Sequence, residues 1–147
     1  MNSTAQKKDR RIKMSSWQED YKAKLTSPED AAKLIKSNDR LFMGGGVNIP
    51  KAFATALGAR AGELSNVTIF QGYAMALYEY MKPEAKGSFN IETMFVGPLE
   101  RICMEWGVGS YKPHSFSDLG KVALSVAPNR VAFSATPPDK DGYVNKS

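Results

Sequence analysis

The sequence predicts an α/β domain in which helices cover both faces of a mainly parallel β-sheet. Short apolar runs typical of buried strands alternate along the chain with segments that have helical spacing. Glycine or proline separates most of these segments, and no repeat or low-complexity stretch interrupts the alternation. Strands that alternate with helices are usually joined by crossover connections, which make neighbouring strands parallel.

The predicted helices carry start signals or apolar stripes. Trp17, Tyr21 and Leu25 recur at a spacing of four, which places them on one side of a helix. Residues 27–30 are Ser-Pro-Glu-Asp, in which the serine can cap the following helix and the proline suits its first position. That helix is expected to turn Leu34 and Ile35 inward and to end at residues 38–39. Further helices are predicted over 52–59, 74–81 and 98–106.

Four apolar segments have the length and composition of strands. They are residues 40–43, 66–70, 91–96 and 130–135. Residues 111–118 combine proline, histidine and several serines, so we predict a loop there, followed by a short apolar segment at 122–126.

The composition is that of a globular protein. Hydrophobic residues make up 42% of the chain and charged residues 24%, close to the average for folded domains. The longest uncharged stretches contain glycine and polar residues and fall short of the roughly 20 apolar residues of a spanning helix. We therefore expect no membrane association. A cytoplasmic location is expected, because no secretory signal is recognisable and the single cysteine cannot form an intramolecular disulfide.

Most of the net charge of +5 lies at the amino terminus. Residues 1–14 contain five lysine or arginine residues and one aspartate. No aromatic residue stands among these charges, and no apolar face accompanies them, so we predict a solvated, disordered tail that does not bind nucleic acid. The folded domain is predicted to comprise residues 15–147. Nucleic-acid binding through this tail is therefore the least favoured function for the chain.

The cysteine and histidine content argues against a metal site and against thiol chemistry. One cysteine and one histidine cannot form a structural zinc site, and no metal or bound cofactor is predicted. Cys103 is predicted to be a small buried hydrophobic residue, since nothing links it to His114, the one candidate base. No acidic residue stands out as a nucleophile. Those considered fall at helix starts, helix ends or polar faces: Glu29, Asp30, Glu63, Glu84 and Glu92.

A triple glycine follows the first predicted strand. Gly44, Gly45 and Gly46 are followed by Asn48 and Pro50 and then by a small-residue helix. The turn lacks the Gly-Lys-Ser/Thr of a phosphate-binding loop and the third glycine of a dinucleotide fingerprint. Two interpretations stay open. The turn either binds a phosphate or oxyanion through free N–H groups at the helix start, or it is a tight turn without a ligand.

The order of several motifs resembles the amino-terminal domain of the acetyl-CoA hydrolase/transferase family. The matching motifs are Trp17 with Tyr21-Lys22, Ser-Pro-Glu-Asp-Ala-Ala at 27–32, the glycine turn ending in Pro50, Phe-Val-Gly at 95–97 with Arg101, residues 109–118, and Asp-Lys-Asp-Gly-Tyr at 139–143. The resemblance implies a class I CoA-transferase fold, in which two similar α/β domains face each other across the active site. In that family a glutamate of the second domain attacks the acyl-CoA.

The resemblance implies a function for this chain as one half of such an enzyme. The implied substrates are a short-chain acyl-CoA thioester and a small carboxylate such as acetate, and the implied partner is a carboxy-terminal domain or subunit that carries the glutamate. No catalytic residue is assigned within the 147 residues, and self-association through an uncovered apolar surface is expected. The residues predicted to line the substrate cleft are Gly44, Gly45, Gly46, Asn48, Pro50, Tyr111 and His114. The alternative is a non-catalytic module that binds CoA or a protein.

Overall fold

A computed structural model describes residues 17–146, and these residues form the predicted α/β architecture. The predicted tail, residues 1–14, lies outside the described residues. The helices are α1 (Trp17–Lys24), α2 (Pro28–Ala32), α3 (Lys51–Gly58), α4 (Pro98–Glu105) and α5 (Leu119–Ser125). The strands are β1 (Arg40–Met43), β2 (Val67–Gln71), β3 (Phe89–Thr93), β4 (Gly109–Tyr111) and β5 (Arg130–Ala132). In the described part of the chain, no helix has the length and apolar character needed to cross a membrane.

The five strands form one parallel sheet with the order β4-β3-β2-β1-β5. Since all strands are parallel, their carboxyl ends meet at the same edge of the sheet. The register places Leu41 beside Ile69 and Ile69 beside Ile91 across the three central strands. These three side chains are buried on the same face, as the two-residue period of a strand requires.

Helices cover both faces of the sheet, as predicted. On one face, α2, α3 and α4 enclose the main core, in which Leu41, Met43 and Ile69 are fully buried. On the other face, α5 packs against Phe42 and Phe70 in a smaller apolar cluster. Phe42 therefore faces the opposite side of the sheet from Leu41 and Met43.

Helix α2 begins as predicted but ends early. The Ser27 side chain accepts a hydrogen bond from the Asp30 N–H at 3.0 Å, which is the expected amino-terminal cap. The helix ends at Ala32, where the Arg60 guanidinium donates to the carbonyl oxygens of Ala32 and Ile35 at 2.6 and 2.9 Å. Ile35 is buried as expected, but Leu34 is 64% exposed, so its predicted inward orientation is wrong.

The helix predicted over 74–81 does not form. Residues 74–78 are irregular, and only Glu79–Met81 makes a single 3₁₀ turn. Tertiary contacts explain the difference, because Tyr80 is fully buried and its hydroxyl donates to the Gln71 side chain at 2.8 Å. The Tyr78 ring stacks on Tyr80 with 5.4 Å between centroids. Contacts that bury both tyrosines outweigh the helical preference of the intervening sequence.

The strand boundaries differ from the predictions at the edges of the sheet. β3 begins at Phe89 instead of Ile91, and β4, for which no strand was predicted, pairs in parallel with β3. The three residues of β4 include one glycine and one serine, so they carry too little apolar pattern to predict a strand. The apolar segment at 122–126 lies within α5 and its carboxyl end.

Asp39 joins the amino ends of β1 and β5. Its carboxylate accepts hydrogen bonds from the Lys36 N–H at 2.8 Å, the Asn129 amide at 2.8 Å and the Arg130 guanidinium at 3.2 Å. Burial is the largest single influence on the pKa of Asp39 and raises it. The hydrogen bonds and the Arg130 charge together outweigh burial, so the pKa is lowered below 3.8.

Replacing Asp39 by alanine should lower the free energy of unfolding by about 1 to 3 kcal/mol at neutral pH, because three donors lose their acceptor. The folded-state pKa lies below the unfolded value of 3.8. The contribution of the Asp39 carboxylate to the free energy of unfolding is therefore present above pH 3.8 and is lost as the pH falls through the folded-state pKa. Urea unfolding at neutral and acidic pH measures both effects.

The matched control is Asp20→Ala, since Asp20 makes only an exposed pair with Lys24 at 3.2 Å. We expect this variant to stay within about 0.5 kcal/mol of the wild type. Equal losses for the Asp39 and Asp20 variants would contradict the account of Asp39.

Candidate functional site

A cavity of about 530 Å³ lies at the carboxyl edge of the sheet. Ligands of open α/β sheets bind at this edge, where the strands end and the connecting segments diverge. The cavity is lined by residues at or just beyond the ends of β1, β2, β3 and β5 and by the segment that leads into α5. They are Phe42, Gly44, Gly45, Asn48, Gly72, Tyr73, Met94, Phe95, Phe116, Leu119, Val131, Phe133 and Lys146.

A larger cavity of about 770 Å³ lies in a groove between α2 and α3. Three of its charged side chains, Lys33, Arg60 and Glu63, form ion pairs within the protein. Lys33 contacts Asp30 at 2.8 Å, and Arg60 contacts Glu63 at 2.6 Å. Because this groove lies between two helices and not at the strand ends, the candidate site is the smaller cavity.

The triple glycine allows a tight turn immediately after β1. A Cβ atom on Gly44 would lie 2.7 Å from the Cβ of Asn48 and 3.0 Å from its backbone oxygen. The turn continues as a single 3₁₀ turn over Gly46–Asn48, and α3 begins only after Pro50. The turn and the helix start are therefore separate features.

Several N–H groups of this turn bind acceptors within the protein. Gly44 donates to the Ala132 carbonyl at 3.3 Å, Gly46 to the Tyr73 carbonyl at 2.6 Å, and Asn48 to the Gly45 carbonyl at 3.1 Å. These three N–H groups are therefore occupied within the protein, and the two interpretations of the turn, an anion site at the start of α3 or a tight turn without a ligand, both stay predictions. The first two hydrogen bonds connect the turn to the end of β5 and to the segment that follows β2, and the third lies within the turn.

The predicted site residues fall into three groups. Gly44, Gly45 and Asn48 line the cavity, and Gly46 lies beside it with a positive φ of 59°. Pro50 lines a separate cavity of about 370 Å³ near α2 and β5. Tyr111 ends β4, is 47% exposed and does not line the cavity. The binding role of each residue stays a prediction.

His114 lies next to the cavity and has a structural hydrogen bond. Its Nδ1 atom is 2.8 Å from the Lys112 carbonyl oxygen, so Nδ1–H donates to that oxygen. The ring also contacts the edge of Phe95, with 6.5 Å between centroids. Within residues 17–146, no carboxylate forms a hydrogen bond with His114.

Sequence analysis missed the aromatic part of the lining. Tyr73, Phe95 and Phe133 each follow a strand by one or two residues and are between 42% and 43% exposed. Phe116 adds a further ring, whose centroid is 5.9 Å from that of Phe95. Their positions just after the strand ends are the signal that could have found them.

Acidic groups are absent from the lining, and one buried acid lies behind it. None of the residues that line the cavity is an aspartate or a glutamate. Glu100, which the sequence did not single out, is 1% exposed and accepts hydrogen bonds from the backbone N–H groups of Ala74 and Gly97. The cavity wall as described therefore provides apolar and aromatic contacts but no nucleophilic carboxylate.

Cys103 is a buried core residue, as predicted. Its side chain is 1% exposed and donates a weak hydrogen bond to the Met81 carbonyl at 3.5 Å. Burial, together with the negative charge of Glu100, raises the pKa of the thiol to about 11. Residues 17–146 contain no group of three or more histidine, cysteine, aspartate or glutamate side chains arranged to hold a metal ion.

Comparison with known proteins identifies the family. Residues 3–147 match the sequence profile of the acetyl-CoA hydrolase/transferase N-terminal domain. The chain belongs to this family. It is 34% identical over 105 residues to the butyryl-CoA:acetate CoA-transferase of Anaerostipes caccae, a match that covers 71% of this chain and 24% of that protein. It is 28% identical over 129 residues to the succinyl-CoA:cyclohexane-1-carboxylate CoA transferase of Geobacter metallireducens, covering 87% and 29% respectively.

A solved structure shares the fold of this chain. The crystal structure of RipA from Yersinia pestis superimposes with a TM-score of 0.78 at 25% identity, covering 90% of this chain and 33% of that chain. This acetyl-CoA hydrolase/transferase N-terminal domain thus spans between about a quarter and a third of the length of the proteins that it matches.

Replacing Gly44 by alanine should lower the free energy of unfolding by about 1 to 3 kcal/mol, because the new methyl group meets the Asn48 backbone. The control is Gly120→Ala in α5, where an added Cβ meets nothing within 4 Å. This second variant should be neutral or stabilising by up to about 1 kcal/mol. Thermal and urea unfolding compare the two. Similar effects from both alanines would show that the tight turn is not required.

The Cys103 thiol should resist labelling while the protein is folded. With a thiol pKa of about 11, the thiolate fraction at pH 8 is on the order of 0.1%, and the sulfur is also shielded from solvent. Reaction with Ellman's reagent should be slow in buffer and complete within minutes in guanidinium chloride. Rapid stoichiometric labelling of the folded chain would contradict the buried assignment.

Proposed function

We propose that this chain forms one wall of the active site of a CoA-transferase. That enzyme would exchange CoA between a short-chain acyl-CoA and a carboxylate such as acetate. The observation that carries the proposal is the apolar cavity at the carboxyl edge of the sheet, which has aromatic walls and no carboxylate of its own. The family assignment supports the reaction class.

The lining suits the acyl side of the reaction. Phe42, Met94 and Phe95 provide contacts for a short hydrocarbon chain, which gains free energy when it leaves water. Asn48 and Lys146 are the polar and charged side chains of the lining, together with the Tyr73 hydroxyl. The matched protein named butyryl-CoA:acetate CoA-transferase supports a short acyl group as the substrate.

We propose that the attacking glutamate comes from a carboxy-terminal domain or a partner subunit. Its carboxylate would attack the thioester carbonyl, and the C–S bond would break. The CoA thiolate would depart, and the acyl group would remain on the glutamate as an acyl-glutamyl anhydride. The thiolate would then attack the glutamyl carbonyl and release the first carboxylate, which leaves a glutamyl-CoA thioester. The acceptor carboxylate would repeat these steps in reverse and receive the CoA. If water replaced the acceptor, the result would be hydrolysis.

Three further predictions accompany this proposal. A cytoplasmic location, self-association and the absence of a bound cofactor stay predictions, since nothing among the described residues tests them. A non-catalytic module that binds CoA is the alternative function. Such a module would have the same cavity without a carboxylate, but it would not support acyl-CoA turnover even when a partner protein is added.

Complementation tests the proposal. The chain is mixed with the Anaerostipes caccae enzyme from which the matching amino-terminal quarter has been deleted, and with butyryl-CoA and acetate. We expect acetyl-CoA to form, detected by chromatography and mass spectrometry, only when both proteins are present. Each protein alone is the control.

Two outcomes would change the conclusion. Acetyl-CoA formation by the chain alone would show that it carries its own nucleophile and would refute the proposal. Saturable acetyl-CoA binding by the chain, with no turnover in the complemented mixture, would favour the non-catalytic module.

A further inference from the structure

Glu100 is a buried carboxylate whose partners are backbone N–H groups. It lies in the first turn of α4 and is 1% exposed. Its Oε1 atom accepts from the Ala74 N–H at 2.6 Å, and its Oε2 atom accepts from the Gly97 N–H at 3.0 Å. Across residues 17–146, no lysine or arginine forms an ion pair with it. These two hydrogen bonds, with the positive end of the helix dipole, compensate its burial.

The first of these hydrogen bonds fixes the chain directly behind the cavity. Ala74 follows Gly72 and Tyr73, and both of those residues line the cavity. The Tyr73 carbonyl in turn accepts the Gly46 N–H at 2.6 Å. A continuous series of contacts therefore runs from Glu100 through the segment after β2 to the glycine turn after β1.

The second hydrogen bond places Gly97 against the Tyr73 ring. A Cβ atom on Gly97 would lie 2.4 Å from Cε2 of Tyr73 and 2.8 Å from Oε2 of Glu100. The ring therefore packs on bare backbone, and the same carboxylate holds that backbone in place. One side chain thus restrains both the main chain and the ring of Tyr73.

We propose that Glu100 is a positioning residue that holds Gly72, Tyr73 and Ala74 in the geometry that binds the acyl-CoA. This inference depends on the proposed function for the identity of the ligand. Glu100 does not line the cavity, so it acts through Tyr73 and not by touching the substrate. Without the carboxylate, the segment samples other conformations, and the apparent affinity falls with the population of the competent one.

The test compares Glu100→Gln with Glu105→Gln, an exposed position on the same helix. The glutamine keeps the size of the side chain but presents an NH₂ group to one of the two N–H donors. We expect acetyl-CoA affinity, measured by calorimetry on the full chain, to fall about tenfold for Glu100→Gln. This is the loss expected if only about one tenth of the variant molecules hold the segment in the conformation that binds the ligand. The Glu105 variant should bind as the wild type does.

A merely structural role would lower stability without changing affinity in the folded protein. Amide hydrogen exchange separates the two roles. In Glu100→Gln, exchange should accelerate at Ala74 and also at Gly46, whereas Ala54, whose N–H binds the Pro50 carbonyl in α3, should be unchanged. Uniform acceleration at all three amides, or unchanged acetyl-CoA affinity, would overturn the positioning role.

The wild-type chain provides a second measurement if the glutamine variant does not fold. Its Ala74 and Gly46 amides should be protected from exchange in the absence of ligand, and unprotected amides there would overturn the inference. The proposed function fails separately. A complemented mixture that forms no acetyl-CoA would refute that function, whereas unchanged exchange at Gly46 in a folded Glu100 variant would refute the positioning role.

Discussion

The hydrogen bond from the Gly46 N–H to the Tyr73 carbonyl, at 2.6 Å, joins the chain segments that leave β1 and β2. The two strands are parallel neighbours, so both segments leave the sheet at its carboxyl edge. The Glu100 carboxylate holds the same segment from the other side through the Ala74 N–H. The shape of the candidate site in this acetyl-CoA hydrolase/transferase N-terminal domain depends on these two contacts, because both flank residues that line the cavity.

The two buried carboxylates of the described chain lie at opposite edges of the sheet and have different partners. Asp39 joins the amino ends of β1 and β5 and has Arg130 as a cationic partner. Glu100 lies behind the carboxyl edge and depends on backbone N–H groups. Removing either carboxylate leaves buried donors without an acceptor, which is costly in an apolar setting. The first therefore affects the stability of the sheet, and the second affects the geometry of the cavity.

Much of the fold follows from local sequence, whereas the site does not. The apolar runs of β1 and β2 and the Ser27 cap each determine their element locally. The helix predicted over 74–81 does not form, because the Ala74 N–H binds Glu100, 26 residues away in sequence, and Tyr80 is buried with its hydroxyl bonded to Gln71.

The candidate site shows the same division between local and distant contacts. The glycine turn was recognisable because close approach to Asn48 excludes a side chain at Gly44. Tyr111 does not line this cavity and Pro50 lines a neighbouring one, and which connecting segments meet at the sheet edge depends on contacts between residues distant in sequence. The most direct measurement is borohydride trapping of the glutamyl-CoA thioester in the complemented mixture, followed by peptide mass spectrometry. The account predicts a reduced glutamate only in the partner protein, and a reduced glutamate within this chain would contradict it.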